Sequence, residues 1–344
     1  MTLRKMDLIN SARKSAFVRC PAQFTDSNVA AFLEDLFSKI EKDHVAIDFN
    51  PIKFVYPYGT LLSAIGIREF VHERNNKGLK TTAYGTASKN SAITYLKHFC
   101  FFHFIGINEG RKVGSGEGNS RYIPITTIKE EDLRSENDII QENITRKSFQ
   151  LARIIFGKES EIMKAEMLSY CIREVIRNVF EHSEAEECIL MAQKWRNGHS
   201  EIAIADQGVG IFETISKVHQ VEDAAEAIKL SLKPGISKET APENDRDKWQ
   251  NSGFGLYVIS ELGKQFGDFS ITSNTKILHR QNSKEIIRPI PVNGTAVKLN
   301  INTEDAEYFP NILHQIVEKG ESLAKELPGA RKSASKTSKI TTSR

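Results

Sequence analysis

The stretch from Glu161 to His182 constrains the chain most. It contains neither Pro nor Gly, and Leu168, Cys171, Ile172, Val175 and Val179 recur in it at helical spacing. That spacing predicts one long amphipathic helix. Behind it, Cys188–Ala192 and Glu201–Ala205 read as neighbouring strands.

Glu174, Asn178 and His182 are spaced four apart on the predicted helix, about 6 Å and roughly one turn per step. One ligand could touch all three. A carboxylate can orient or deprotonate a nucleophile, an amide oxygen is a hard ligand for Mg²⁺, and an imidazole can hydrogen-bond a phosphate oxygen. Taken singly, each also reads as an ordinary solvated polar residue.

Asp206, Gly208 and Gly210 directly follow the apolar run Ile202–Ala205. A turn there exposes backbone amides and one carboxylate, which can accept from an adenine amino group while the glycines let the base approach. Alone it is an ordinary Asp-Gly turn. Gly253 and Gly255 precede Leu256, Val258, Ile259 and Leu262, so a flexible backbone meets a helix N-terminus, where amides and the helix dipole favour phosphate. Asn293, Gly294 and Thr295 open a last strand, from which Thr295 could hold Asp206 through a water; alone they read as a hairpin turn.

The order of these pieces says more than any one of them: helix triad, strand with DxGxG, long polar segment, GxG with helix, then Gly-Thr with strand. In that order the chain resembles the GHKL superfamily of ATPases, which includes gyrase, a heat-shock chaperone, histidine kinases and mismatch-repair proteins, from about Ser148 to Ile301. The resemblance implies ATP and Mg²⁺ as cofactors. It makes Glu174 the general base, Asn178 the Mg²⁺ ligand, Asp206 the adenine reader and His182 a phosphate contact, with Gly208, Gly210, Gly253 and Gly255 lining the nucleotide. Ala227–Lys238, with Pro234-Gly235-Ile236-Ser237, looks like the lid segment of bacterial members related to anti-sigma-factor kinases.

Ahead of this region, strand-like and helix-like pieces alternate as β-α-β-α-β-α over 16–19, 27–42, 44–49, 60–74, 80–84 and 91–102. Ser27 is the expected N-cap of the first helix. The segment 16–125 is similar to STAS domains, the anti-sigma-factor antagonist fold, with Phe54–Thr60 where that family has its Asp-Ser-Ser-Gly turn. Here Pro57 replaces the phosphorylated serine and only Thr60 is nearby. The expected class is therefore mixed α/β (α+β), a STAS-like α/β domain followed by a GHKL-type α/β sandwich. We expect an extension over 1–15, the STAS-like domain over 16–125, an acidic linker over 126–147, the ATP-binding domain over 148–303, a helix within 304–328 and a basic tail over 329–344.

Charge and cysteine usage narrow the class further. The net charge is +3, yet Arg331, Lys332, Lys336, Lys339 and Arg344 alone exceed it, so the body carries no broad footprint for nucleic acid. Residues 1–15 lack the apolar run of a secretory signal, and Phe99–Ile107 is too short to span a bilayer. Cys20, Cys100, Cys171 and Cys188 lie far apart without metal-ligand spacing, as in a cytoplasmic protein with reduced thiols. Gly114, Gly116 and Gly118 lack a following Lys-Ser/Thr and read as a loop.

No His lies between His103 and His182, which argues against histidine autophosphorylation. Three readings remain: an ATPase or nucleotide switch controlling a protein partner, with a homodimer as one form; a serine/threonine kinase acting on a separate protein; and a nucleotide-dependent binding module without turnover.

Overall fold

Short apolar strands and capped helices alternate through the first part of the chain. They are β1 (Ala16–Arg19), β2 (Gln23–Phe24), α1 (Asp26–Phe37), β3 (His44–Asp48), β4 (Phe54–Val55), α2 (Pro57–Asn76), β5 (Lys80–Tyr84), α3 (Ser91–His98) and α4 (Phe101–Phe104). Strands β1, β3 and β5 form a parallel sheet with β3 central, and β2 pairs with β4. These coordinates are a computed structural model, which describes residues 15–115, 118–129, 131, 140–237, 253–282 and 284–331.

Three local details differ from expectation. Thr25, not Ser27, caps α1: its extended backbone lets the hydroxyl accept from the Asn28 amide, and Ser27 lies inside the helix. Helix α2 starts at Pro57, whose fixed φ and missing N–H suit a first turn. The predicted helix 91–102 is split at Cys100, which takes φ 64°. Phe99, Cys100, Phe101 and Phe102 are all buried, which four successive residues of one straight helix facing a core cannot be. The break lets Phe101 and Phe102 both meet Phe49 edge-on, at 6.1 and 5.3 Å.

Arg74 is fully buried and cross-links this first layer. Its guanidinium donates to the carbonyls of Ile40, Lys42 and Lys80, each at 2.7 Å, and to the Thr81 hydroxyl at 3.0 Å. Thr60, the one aliphatic hydroxyl of the serine-free turn, is fully buried.

The remaining elements are β6 (Tyr122–Lys129), α5 (Ile140–Ile155), α6 (Ile162–His182), β7 (Glu187–Lys194), β8 (His199–Asp206), α7 (Gly210–Ile215), α8 (Ala224–Ser231), α9 (Gly255–Phe266), β9 (Gly267–Ser273), β10 (Lys276–Gln281), β11 (Lys284–Pro289), β12 (Thr295–Asn302) and α10 (Phe309–Glu326). The seven strands form one antiparallel sheet in the order β11-β10-β9-β12-β8-β7-β6. The class is α+β, as expected.

The chain divides into two compact units at Glu117/Gly118, with Ile290–Val292 counted in the first. The boundary expected at 125 therefore moves. Strand β6 pairs with β7 as the edge of the second unit's sheet, and α5 occupies much of the expected linker 126–147. The acidic run between them had masked the apolar pattern of Ile123, Ile125 and Ile128. The polar segment 212–252 likewise holds most of α7 and all of α8, the latter capped by Asp223.

Helix α10 belongs to the second unit's core rather than standing outside it. Phe309 packs against Phe156 at 4.9 Å and Phe266 at 5.5 Å. Gly320 is required there, because a Cβ would come within 2.5 Å of the Tyr257 ring. Beyond α10, the Arg331 amide donates to the Gly235 carbonyl at 2.8 Å. Residues 332–344, most of the basic tail, lie outside the described residues. No described helix is long and apolar enough to cross a membrane. All four cysteines are buried and outside any disulfide, and burial pushes the Cys171 thiol up to about 12.

Candidate functional site

Within the second unit, α6, the ends of β8 and β12, α7 and the N-terminus of α9 border one cleft. Ile204, Ala205, Ile211, Ile215, Leu256 and Val297 give it a largely apolar wall.

Helix α6 presents Val175, Asn178, Val179 and His182 to the cleft, an i, i+3, i+4, i+7 stripe. Glu174 lies roughly 100° round the helix from Val175. Four-residue spacing drifts about 40° per step, so the expected straight line of three becomes two residues facing the cleft and one at its edge. There the Glu174 carboxylate is nearly fully buried, with Oε1 ion-paired to Arg173 at 3.3 Å and Arg177 at 3.2 Å. Arg177 also holds Glu181 at 2.8 Å. Gly255 lies against Glu174, since a Cβ on Gly255 would come within 2.5 Å of the Glu174 Cβ.

Asp206 ends β8 inside the cleft, 4% exposed. Burial pushes its carboxyl up to about 6, while hydrogen bonds from the Gly208 amide, the Thr295 amide and the Ser183 hydroxyl pull it back. The Gly208 bond is 2.8 Å. The Ser183 hydroxyl also lies 2.6 Å from the Val179 carbonyl, with a single proton to give. Thr295 meets Asp206 directly through its backbone, in register across β8 and β12. Its hydroxyl instead meets Ser273 Oγ at 3.2 Å.

The DxGxG turn is braced by residues that the sequence reading missed. The Val209 amide donates to the Ser183 carbonyl, and a Cβ on Gly208 would come within 1.9 Å of that same oxygen. Ser273 Oγ accepts from the Ile211 amide, while the Asn274 side chain accepts from the Phe212 amide and donates to the Val209 carbonyl. Gly210, at φ 82°, leaves room for that Asn274 side chain. A Ser-Asn pair at a strand end carries no signal of its own in sequence; only the pairing of β9 with β12 brings it there.

Gly253 and Gly255 line the cleft at the start of α9. Gly253 has φ 69° and its carbonyl accepts from the Gly235 amide at 3.1 Å, which ties the expected lid segment to the turn ahead of α9. Ile236 and Ser237 also line the cleft. Of the cations in the polar segment 212–252, Lys217 and Lys229 lie 3.9 Å from Glu184 and Glu285, and Lys233 does not border the cleft. Lys238, Arg246 and Lys248 lie outside the described residues. In the glycine patch Gly114 and Gly118 are exposed, and Gly116 also lies outside the described residues.

Asn178, His182, Asp206, Gly210, Gly253, Gly255 and Thr295 therefore border one cleft; Gly208 stands behind Asp206 and Glu174 beside Gly255. Comparison with known proteins adds nothing to this geometry. No protein-family model matches the chain, and no curated protein does.

Proposed function

We propose that the second unit binds ATP with Mg²⁺ in this cleft and uses it, by hydrolysis or as a conformational switch, to control a protein partner. The observation that carries the reading is convergence. Residues from four sequence segments, 178–182, 206–210, 253–255 and 295, border a single cleft. The donor set also fits a nucleotide. The apolar wall suits a flat base, and a buried carboxylate with its remaining acceptor capacity suits an amino group. Glycines occupy the positions where a Cβ would collide with backbone or neighbouring side chains.

In this reading Asp206 accepts from the base, held in place by the Gly208 and Thr295 amides. Asn178 supplies an oxygen to Mg²⁺ and His182 a hydrogen bond to phosphate. Gly253 and Gly255 bring backbone to the phosphates at the N-terminus of α9. Bound Mg²⁺ would neutralise charge on the phosphate oxygens. Glu174 acts on the attacking water, or on a protein hydroxyl if the enzyme is a serine/threonine kinase.

One observation favours a second reading, binding without turnover: the Glu174 carboxylate is held by Arg173 and Arg177 and does not border the cleft. Incubation of the full chain with γ-labelled ATP and Mg²⁺ separates the readings. Free labelled phosphate, lost in Glu174→Gln, marks an ATPase; label on an added protein marks a kinase; binding with neither marks the switch. Asn178→Ala should weaken Mg²⁺-dependent binding in every case. Absence of nucleotide binding by the wild type would sink the proposal.

A further inference from the structure

Five hydroxyl side chains border the cleft. Four are committed to protein partners: Ser183 to the Val179 carbonyl, Thr214 to the Gly210 and Ile211 carbonyls, Ser231 to the Ile228 carbonyl, and Thr295 to Ser273. The fifth, Ser237, is 7% exposed, and its Oγ is buried with no hydrogen-bond partner among the described residues. A buried hydroxyl in that state is unfavourable, and native chains retain few such groups.

The backbone around Ser237 is held on both sides. Gly235 donates to the Gly253 carbonyl at 3.1 Å and accepts from the Arg331 amide at 2.8 Å. The Ser237 carbonyl lies 3.4 Å from His219 Nε2. Ile236 packs so closely on Gly253 that a Cβ there would come within 2.8 Å of the Ile236 carbonyl oxygen. Ser237 therefore stands in the cleft beside Gly253, just ahead of α9, with one staggered χ1 rotation as its freedom. A backbone fastened by these contacts and carrying one uncommitted donor is a preorganised contact for an acceptor that arrives with a ligand.

We propose that Ser237 is a phosphate-binding residue of this cleft, its hydroxyl donating to a phosphoryl oxygen of the bound nucleotide. The assignment rests on the ATP reading above and adds to it a contact from the expected lid segment. A hydroxyl given to a charged oxygen is among the stronger hydrogen bonds, so its loss is felt in affinity. Its removal from the ligand-free protein is not, because no native partner is left behind.

The test is calorimetric titration of the full chain and its Ser237→Ala variant with ATP, ADP and adenosine in the presence of Mg²⁺, alongside the ligand-free Tm of each protein. The expected result is a roughly tenfold to hundredfold loss of ATP and ADP affinity. Adenosine affinity should be unchanged and the ligand-free Tm equal or higher. ATP affinity equal to wild type overturns the assignment. So does an equal loss for adenosine, or a lowered ligand-free Tm, which would reveal a structural hydroxyl. Failure of the wild type to bind any of the three would remove the ATP reading itself, whereas adenosine binding with an unaffected Ser237→Ala variant removes only this contact.

Discussion

Asp206 carries the clearest pH signature in the molecule. Burial pushes its carboxyl up to about 6 in the folded chain, against about 3.9 for a free aspartate. The native state therefore binds this proton more tightly than the unfolded chain does. The resulting stabilisation is full below about pH 4 and is lost, to the extent of about 3 kcal/mol, as pH rises to about 6. Ligand binding runs the other way, because an ionised carboxylate is the better acceptor for an amino group. Nucleotide affinity should fall as pH drops through about 6, and Asp206→Asn should flatten that profile. A wild-type affinity with no inflection between pH 5 and 7 would show that Asp206 does not meet the base. Of the residues expected to act together, Asn178 and His182 were readable because a helical stripe is a local property. Glu174 was expected on the same line, but four-residue spacing drifts round a helix, and Arg173 and Arg177 hold its carboxylate.

At the scale of elements, the long periodic segments were legible and the short or polar ones were not. Helices α6, α9 and α10 and strands β8 and β12 lie where apolar periodicity placed them, to within a few residues. The hairpin β10–β11 was missed because Lys276, His279, Arg280 and Lys284 dilute its alternation, and its register is set by β9 across the sheet. Strand β6 was assigned to the wrong unit because its partner, β7, lies some sixty residues away in sequence. Arg74 is a similar case. A cation in the charged C-terminal half of α2 reads as surface, yet it satisfies three carbonyls and a hydroxyl between α1 and β5. Arg74→Ala removes all of these bonds and should destabilise the first unit by about 3 kcal/mol. Denaturant unfolding followed in the first unit would contradict this with a loss below about 1 kcal/mol.

Across the whole molecule, the division at Glu117/Gly118 predicts two heat-absorption transitions. Nucleotide at a hundredfold excess over its Kd should raise the stability of one of them by about 2.7 kcal/mol. Arg74→Ala should lower the other. A single transition moved by both perturbations would show that the units melt as one. The bond from the Arg331 amide to the Gly235 carbonyl has a consequence of another kind, one of timing during synthesis. Strand β6 and most of the cleft are translated long before residue 331 leaves the ribosome, while the first unit is free to fold as it emerges. The backbone that carries Ser237 gains its second fastening only after that, so a nascent chain halted short of Arg331 should hold an unfinished cleft.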